Sequence, residues 1–148
     1  MYRKLLVPLD GSTLAECALP HVKNLMSAGC AEEATILNVL REHFIPFEYG
    51  PSDLEIMEKY REERRKYLAD VEQRLDAEGI KVQTELLEND HPANAISDYA
   101  AHNGIDMIIL ATHGYTGLKK MMLGSVALEV LHDSHVPVLL IRPESCRT

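Results

Sequence analysis

Short apolar runs rich in Val, Ile and Leu alternate along the chain with longer stretches of helical spacing, the pattern of a parallel sheet with crossover helices. Positions 4–9 are mostly apolar in succession, which predicts a strand buried on both faces. Thr13 and Glu16 form a capping-box pattern, so a helix is expected to begin near residue 13. Pro20 falls inside it and demands a kink or a restart, because a proline in a straight helix costs about 3 kcal/mol; Gly29 supplies the stop. A second strand is predicted over 34–40, a loop over 41–52, and a long helix over 53–78 that ends at Gly79. Ile80, Val82, Thr84 and Leu86 alternate as a third strand. Pro92 suits the first turn of a helix over 92–102 that ends at Gly104, and 105–111 is a fourth strand. A Gly-rich loop over 112–123 leads to a helix over 124–133 and a fifth strand over 136–141.

Strand and helix alternate throughout, with no repeat, linker or low-complexity segment, so a single α/β domain over 1–148 accounts for the chain: a doubly wound open sheet of five parallel strands with helices on both faces. At 148 residues no disulfide or metal is needed to hold such a domain together. The formal charge of −8 offers no long-range attraction to nucleic acid or anionic lipid, so neither is expected as a partner, and an anionic ligand needs a local site. No apolar run approaches a membrane span, and the first residues lack the apolar stretch of a secretory signal. Cys17, Cys30 and Cys146 are odd in number and widely spaced; they read as reduced thiols of a cytoplasmic protein.

In a doubly wound sheet, ligands bind beyond the carboxyl ends of the strands where the strand order reverses. Two strand ends here carry glycine and small polar residues. Pro8, Leu9, Asp10, Gly11 and Ser12 put a carboxylate beside a flexible turn at the end of the first strand. After the fourth strand, His113, Gly114 and Gly117 precede Gly124, Ser125 and Val126, where the next helix opens. A helix start presents unpaired amides and a partial positive charge, the basis of phosphate binding there. Ser125 adds a hydroxyl, and Lys119 and Lys120 are either solvated or lean toward a polyphosphate. Six residues separate Gly117 from Gly124 and no lysine follows it, so this is not a Walker A loop; G-x-G-x-x-G is missing too.

At these residues the sequence resembles the universal stress protein family, from about Arg3 to Pro143. The nucleotide-binding branch carries G-x-x-G, nine residues, then G-[ST]; here the positions are Ala111, Thr112, His113 and Gly114, then 115–123, then Gly124 and Ser125. Ala111 stands in place of the first glycine and adds a methyl group. The resemblance implies a Rossmann-like, adenine nucleotide alpha hydrolase-like fold with strand order 3-2-1-4-5. It further implies ATP or another adenine nucleotide held by the ends of strands 1, 2 and 4. Pro8 and Asp10 would then lie against base and ribose and Val39 against the adenine. Leu110 and Ala111 would meet the nucleotide by backbone, while Gly114, Gly124, Ser125 and Val126 would hold phosphates. Asn38 and Tyr115 replace a histidine and a basic residue common in relatives. Charge compensation would come from Lys119, Lys120 or a Mg or Mn ion carried by the phosphates.

His113 has no carboxylate partner in sequence, so it is assigned a positional and not a catalytic role. His132 and His135 lack a third ligand for zinc and are expected to interact with a helix C-terminus. The charge run at 61–66 contains i,i+4 pairs in the favourable order and reads as a solvated helix face. The last strand, starting at Val136 and ending at Ile141, is apolar and expected at a sheet edge, where the resemblance implies a homodimer. Phe44 and Phe47 in the 41–52 loop cover a ligand, pack on a partner or pack on their own domain. The expected activity is nucleotide-dependent regulation of a stress response and not catalysis. A dimeric interaction protein that has lost the nucleotide and a slow ATP hydrolase are the alternatives.

Overall fold

In a computed structural model of the chain, which describes residues 2–41, 52–113 and 123–143, five parallel strands form one sheet in the order β3-β2-β1-β4-β5. The strands are β1 (Tyr2–Pro8), β2 (Ala31–Leu40), β3 (Gln83–Glu88), β4 (Met107–Ala111) and β5 (Val138–Ile141). The helices are α1 (Leu19–Ser27), α2 (Ser52–Asp76), α3 (Pro92–His102) and α4 (Ser125–Asp133). The expected fold class and strand order are therefore present. No helix among the described residues is long and apolar enough to cross a membrane.

Strand alternation sorts the core into two layers. Leu5 and Val7 of β1, and Leu9 just beyond it, face α1 and α2 with Ile36, Ile109, Val22, Leu68 and Val71. Leu6, Leu37, Ile108 and Leu110 face α3 and α4 with Ile96, Ala127 and Val130. Leu5, Leu6 and Val7 are all fully buried, as the unbroken apolar run demands.

The helix expected to begin near residue 13 takes the restart that Pro20 requires. A 3-10 turn over Ala15–Ala18 comes first, and α1 follows with Pro20 in its opening turn, where its missing amide costs nothing. The capping residue is Ser12 and not Thr13: the Ala15 amide donates to Ser12 Oγ at 3.1 Å, and the Glu16 amide to the Ser12 carbonyl at 3.3 Å. The Glu16 side chain, freed from a capping box, instead accepts from the Tyr67 hydroxyl at 3.0 Å and pairs with Arg74 at 2.8 Å. Burial pushes the Tyr67 phenol well up, and the Glu16 charge adds to the shift, so it stays a donor.

Cys17 corrects a second expectation. It is buried and disulfide-bonded, while Cys30 is free and exposed. Sequence spacing carried no sign of this because the proximity is made by the fold: the chain after β5 returns to the 3-10 turn, and the Pro143 carbonyl lies 3.5 Å from Cys17 Sγ. The cysteine argument for a reducing compartment falls with it. Cys146 lies outside the described residues, as does the loop carrying Phe44 and Phe47.

The start of β1 is tied to the turn before β4 by one carboxylate. Asp106 Oδ2 accepts the Arg3 amide at 2.8 Å and the Lys4 amide at 2.9 Å. These two amides, that of Lys4 first, hold its carboxyl below the ordinary carboxylate range. A depressed folded value stabilises above the unfolded pKa of 3.8 and is lost as pH falls through the folded one. Asp106→Ala is expected to lower the melting temperature by several degrees at pH 7. Melts repeated in acid, below pH 3, should show the gap to the parent chain closing.

Candidate functional site

β1 is the central strand, paired with β2 on one side and β4 on the other. Connections from β1 and β2 cross the α1/α2 face, whereas those flanking β4 use the α3/α4 face, so the ends of β1 and β4 open a crevice between diverging connections. Pro8, Leu9, Asp10, Leu110, Ala111, Thr112 and His113 all fall at or just beyond these carboxyl ends, and Val39 lies at that of β2.

Asp10 is held in a tight turn. Its Oδ1 accepts the Ser12 amide at 2.9 Å and the Ser12 hydroxyl at 2.5 Å, and Gly11 between them has φ 89°, a conformation in which a Cβ is strained. The Leu9 carbonyl accepts from Asn38 Nδ2 at 2.7 Å, and the Asp10 carbonyl from Arg64 Nη1 at 3.0 Å. Asn38 is fully buried and its Oδ1 has no partner among the described residues, an acceptor left in the core near the end of β2. The sequence pointed to Asn38 only by resemblance. It missed Arg64 altogether, because that residue sits in the charge run taken for a solvated face. Arg61 departs from that face too: it reaches Glu88 at the end of β3. Lys66 with Glu62 and Arg74 with Asp70 form the expected i,i+4 pairs.

The β4 side is built around Gly124. Its amide donates to the Thr112 carbonyl at 2.6 Å, which seats the start of α4 against the end of β4. A Cβ on Gly124 would lie 3.0 Å from that same oxygen, so glycine is required by the close approach. Its amide is consequently spent inside the protein, and an anion cannot use it. The amides of Ser125, Val126 and Ala127, the first three of α4, have no hydrogen-bond partner among the described residues. Ser125 is exposed and Val126 half-buried. His113 Nδ1 shares a hydrogen bond with Thr112 Oγ1 at 2.8 Å, a tie to its own loop and not to an acid.

The methyl of Ala111 points away from α4. Ala111 ends a regular strand in register with Ile141, and alternation sends its Cβ toward the α1/α2 layer, on the side of Ile109. Gly114, Gly117, Lys119 and Lys120 lie outside the described residues.

His132 is exposed and bonded to Asp133 at 2.7 Å, which raises its pKa, and no described cluster of three His, Cys, Asp or Glu could hold a metal ion. A groove of about 270 Å³ between α2 and β3, lined by Arg65, Leu68, Glu72 and Thr84 among others, shares no residue with the crevice.

Residues 1–142 match the family model described as Universal stress protein family. Universal stress protein MJ0531 of Methanocaldococcus jannaschii is 34% identical over 142 residues, covering 96% of this chain and 83% of its own. Universal stress protein YxiE of Bacillus subtilis is 33% identical, covering 96% of this chain and all of its own. The solved structure of MJ0577 is similar with a TM-score of 0.85 and 36% identity over 96% of each chain. Two further structures share the fold: a universal stress protein in complex with cAMP, TM-score 0.66 at 20% identity, and an Arabidopsis thaliana family protein with AMP bound, TM-score 0.67 at 15%. They cover 96% and 95% of this chain, and 98% and 91% of their own.

Gly124→Val is expected to destabilise the protein itself, by about 1–3 kcal/mol from overpacking against Thr112. Urea unfolding without any ligand checks it; a midpoint equal to that of the parent would show that the α4 start is not seated as described.

Proposed function

The chain belongs to the universal stress protein family, and on that premise we propose that it binds an adenine nucleotide, ATP foremost, at the carboxyl ends of β1, β2 and β4. Its output is then a nucleotide-dependent change of shape or partner in a stress response, not fast turnover. The observation that carries this is the set of three amides opening α4 that have no partner among the described residues, at the start of a helix locked onto the end of β4, at the crevice end of the sheet that also holds Asp10. Two fold neighbours hold cAMP and AMP, which supports an adenine nucleotide as the ligand class.

The division of labour follows from charge. An ionised carboxylate accepts hydrogen bonds and repels phosphate oxygens. Asp10 therefore suits sugar hydroxyls, while the α4 amides and the Ser125 hydroxyl suit phosphates. Val39, Leu110 and Ala111 supply backbone and apolar surface around the base. With no acidic or histidine cluster among the described residues to cage it, a Mg or Mn ion would be carried by the phosphates. His113, tied to Thr112, has no acidic partner among the described residues that would make it a general base.

The sheet edge adds a second part. β5 ends the sheet, and Leu139 on it, with Leu128 and Leu131 on α4, is exposed. A homodimer through 136–141 buries this surface and pairs the open edge. Sedimentation equilibrium should give twice the 16.6 kDa chain mass, and Leu139→Lys should return it to the monomer value.

Nucleotide released by denaturing the purified protein is expected to be adenylate. Ser125→Ala should weaken ATP with magnesium about tenfold or more in calorimetry, the worth of one hydrogen bond to a charged acceptor. A chromatogram free of adenylate together with no heat on titration would overturn the proposal.

A further inference from the structure

Arg64 is half-buried on α2, remote in sequence from the crevice, yet its Nη1 donates to the Asp10 carbonyl at 3.0 Å. We propose that Arg64 is a positioning residue for the sugar of the bound nucleotide, acting through Asp10; this rests on the nucleotide-binding function proposed above.

The turn at the end of β1 has local and distant ties. Both bonds from Ser12 to Asp10 Oδ1 lie within the turn, so they set its internal shape but not its seat on the sheet. Besides the backbone bond from the Leu9 amide to the Leu37 carbonyl at 2.8 Å, two side chains from elsewhere tie it to the sheet: Asn38 on β2, at the Leu9 carbonyl, and Arg64 on α2, at the Asp10 carbonyl. Asn38 lies within the sheet and acts one residue before the carboxylate. Arg64 acts on Asp10 itself, on the peptide that continues into Gly11 at φ 89°. Glycine has no Cβ to hold that peptide in one orientation, so a charged donor on its carbonyl helps to fix it. A hydrogen bond from a charged group is among the strong ones, enough to choose between two settings of a turn.

The neighbouring arginines are occupied elsewhere. Arg61 pairs with Glu88 and Glu58, and Arg65 with Glu58 at 3.5 Å on the surface. Arg64 alone of the three reaches the turn after β1. Loosening it moves the carboxylate that faces the sugar and leaves the α4 amides untouched. The consequence is a selective loss: recognition of the sugar hydroxyls suffers, and recognition of the phosphates does not.

The test compares ATP with 2′-deoxyATP, each with magnesium, by calorimetry on the full chain and on Arg64→Met, Arg64→Lys and Arg65→Met. The parent should prefer ATP by about tenfold, the worth of one hydrogen bond to a charged acceptor. Arg64→Met should lose that preference by weakening ATP while leaving 2′-deoxyATP within about twofold. Arg64→Lys should restore most of it, and Arg65→Met should match the parent. Amide exchange at Ser12 in the nucleotide-free protein should speed up in Arg64→Met alone. If Arg64→Met does not fold, Arg64→Gln, with a neutral and shorter donor, is read on the same ratio. An unchanged ratio, equal weakening of both nucleotides, or a parent without preference overturns the role of Arg64 and leaves nucleotide binding standing. A parent that binds neither nucleotide overturns both.

Discussion

A strand buried on both faces cannot leave its last carbonyls to water, and this constraint organises the mouth of the molecule. β1 runs through the middle of the sheet, and beyond it the chain turns sharply at Gly11. The Leu9 and Asp10 carbonyls therefore need donors from other elements, and they find an amide side chain on β2 and a guanidinium on α2. Satisfying the backbone is thus what draws Asn38 and Arg64 to the crevice. Asp10 is immobilised as a by-product, with its carboxylate bent back onto Ser12.

The same logic governs the other wall. A chain with a formal charge of −8 repels a polyanion at long range, so binding must come from a few aligned dipoles at short range. One exposed helix start contributes only about 0.3–1 kcal/mol to an anion, so single contacts do not suffice and convergence matters. Gly124 provides it by a division of roles. Its amide fastens α4 to Thr112, which spends one donor and fixes the direction of the next three. The glycine is required by contact with protein, and in the proposed site the phosphates are left to the amides of Ser125, Val126 and Ala127.

The fold was largely legible in the sequence, because its signals are local. Continuous apolar runs, Pro92 and the glycines at 29, 79 and 104, all at positive φ, mark the elements to within a few residues. What escaped is what depends on tertiary proximity. Thr13 and Ser12 offer equal capping chemistry on paper, and only the turn imposed by Asp10 and Gly11 gives the role to Ser12. A guanidinium in a charged run looks solvated until the helix is laid across the sheet, when every third or fourth position turns inward; Arg61, Arg64 and Tyr67 share that inward line. Cys17 was misjudged for the same reason, since the return of the chain after β5 is invisible in cysteine spacing.

Ala111 shows how the pattern of a strand can overrule the pattern of a motif. Compared with the family's glycine, its methyl looks like an obstruction, and a decayed site would follow from it. Strand alternation decides otherwise: Leu110, one residue earlier, points to the α3/α4 layer where α4 begins, so Ala111 points to the opposite layer. A methyl on that side adds apolar contact beside the core and takes no room from the amides of α4. The departure from glycine is then a core substitution that sits within a binding motif. It bears on packing between β4 and the α1/α2 layer, and it gives no ground for treating the crevice as lost.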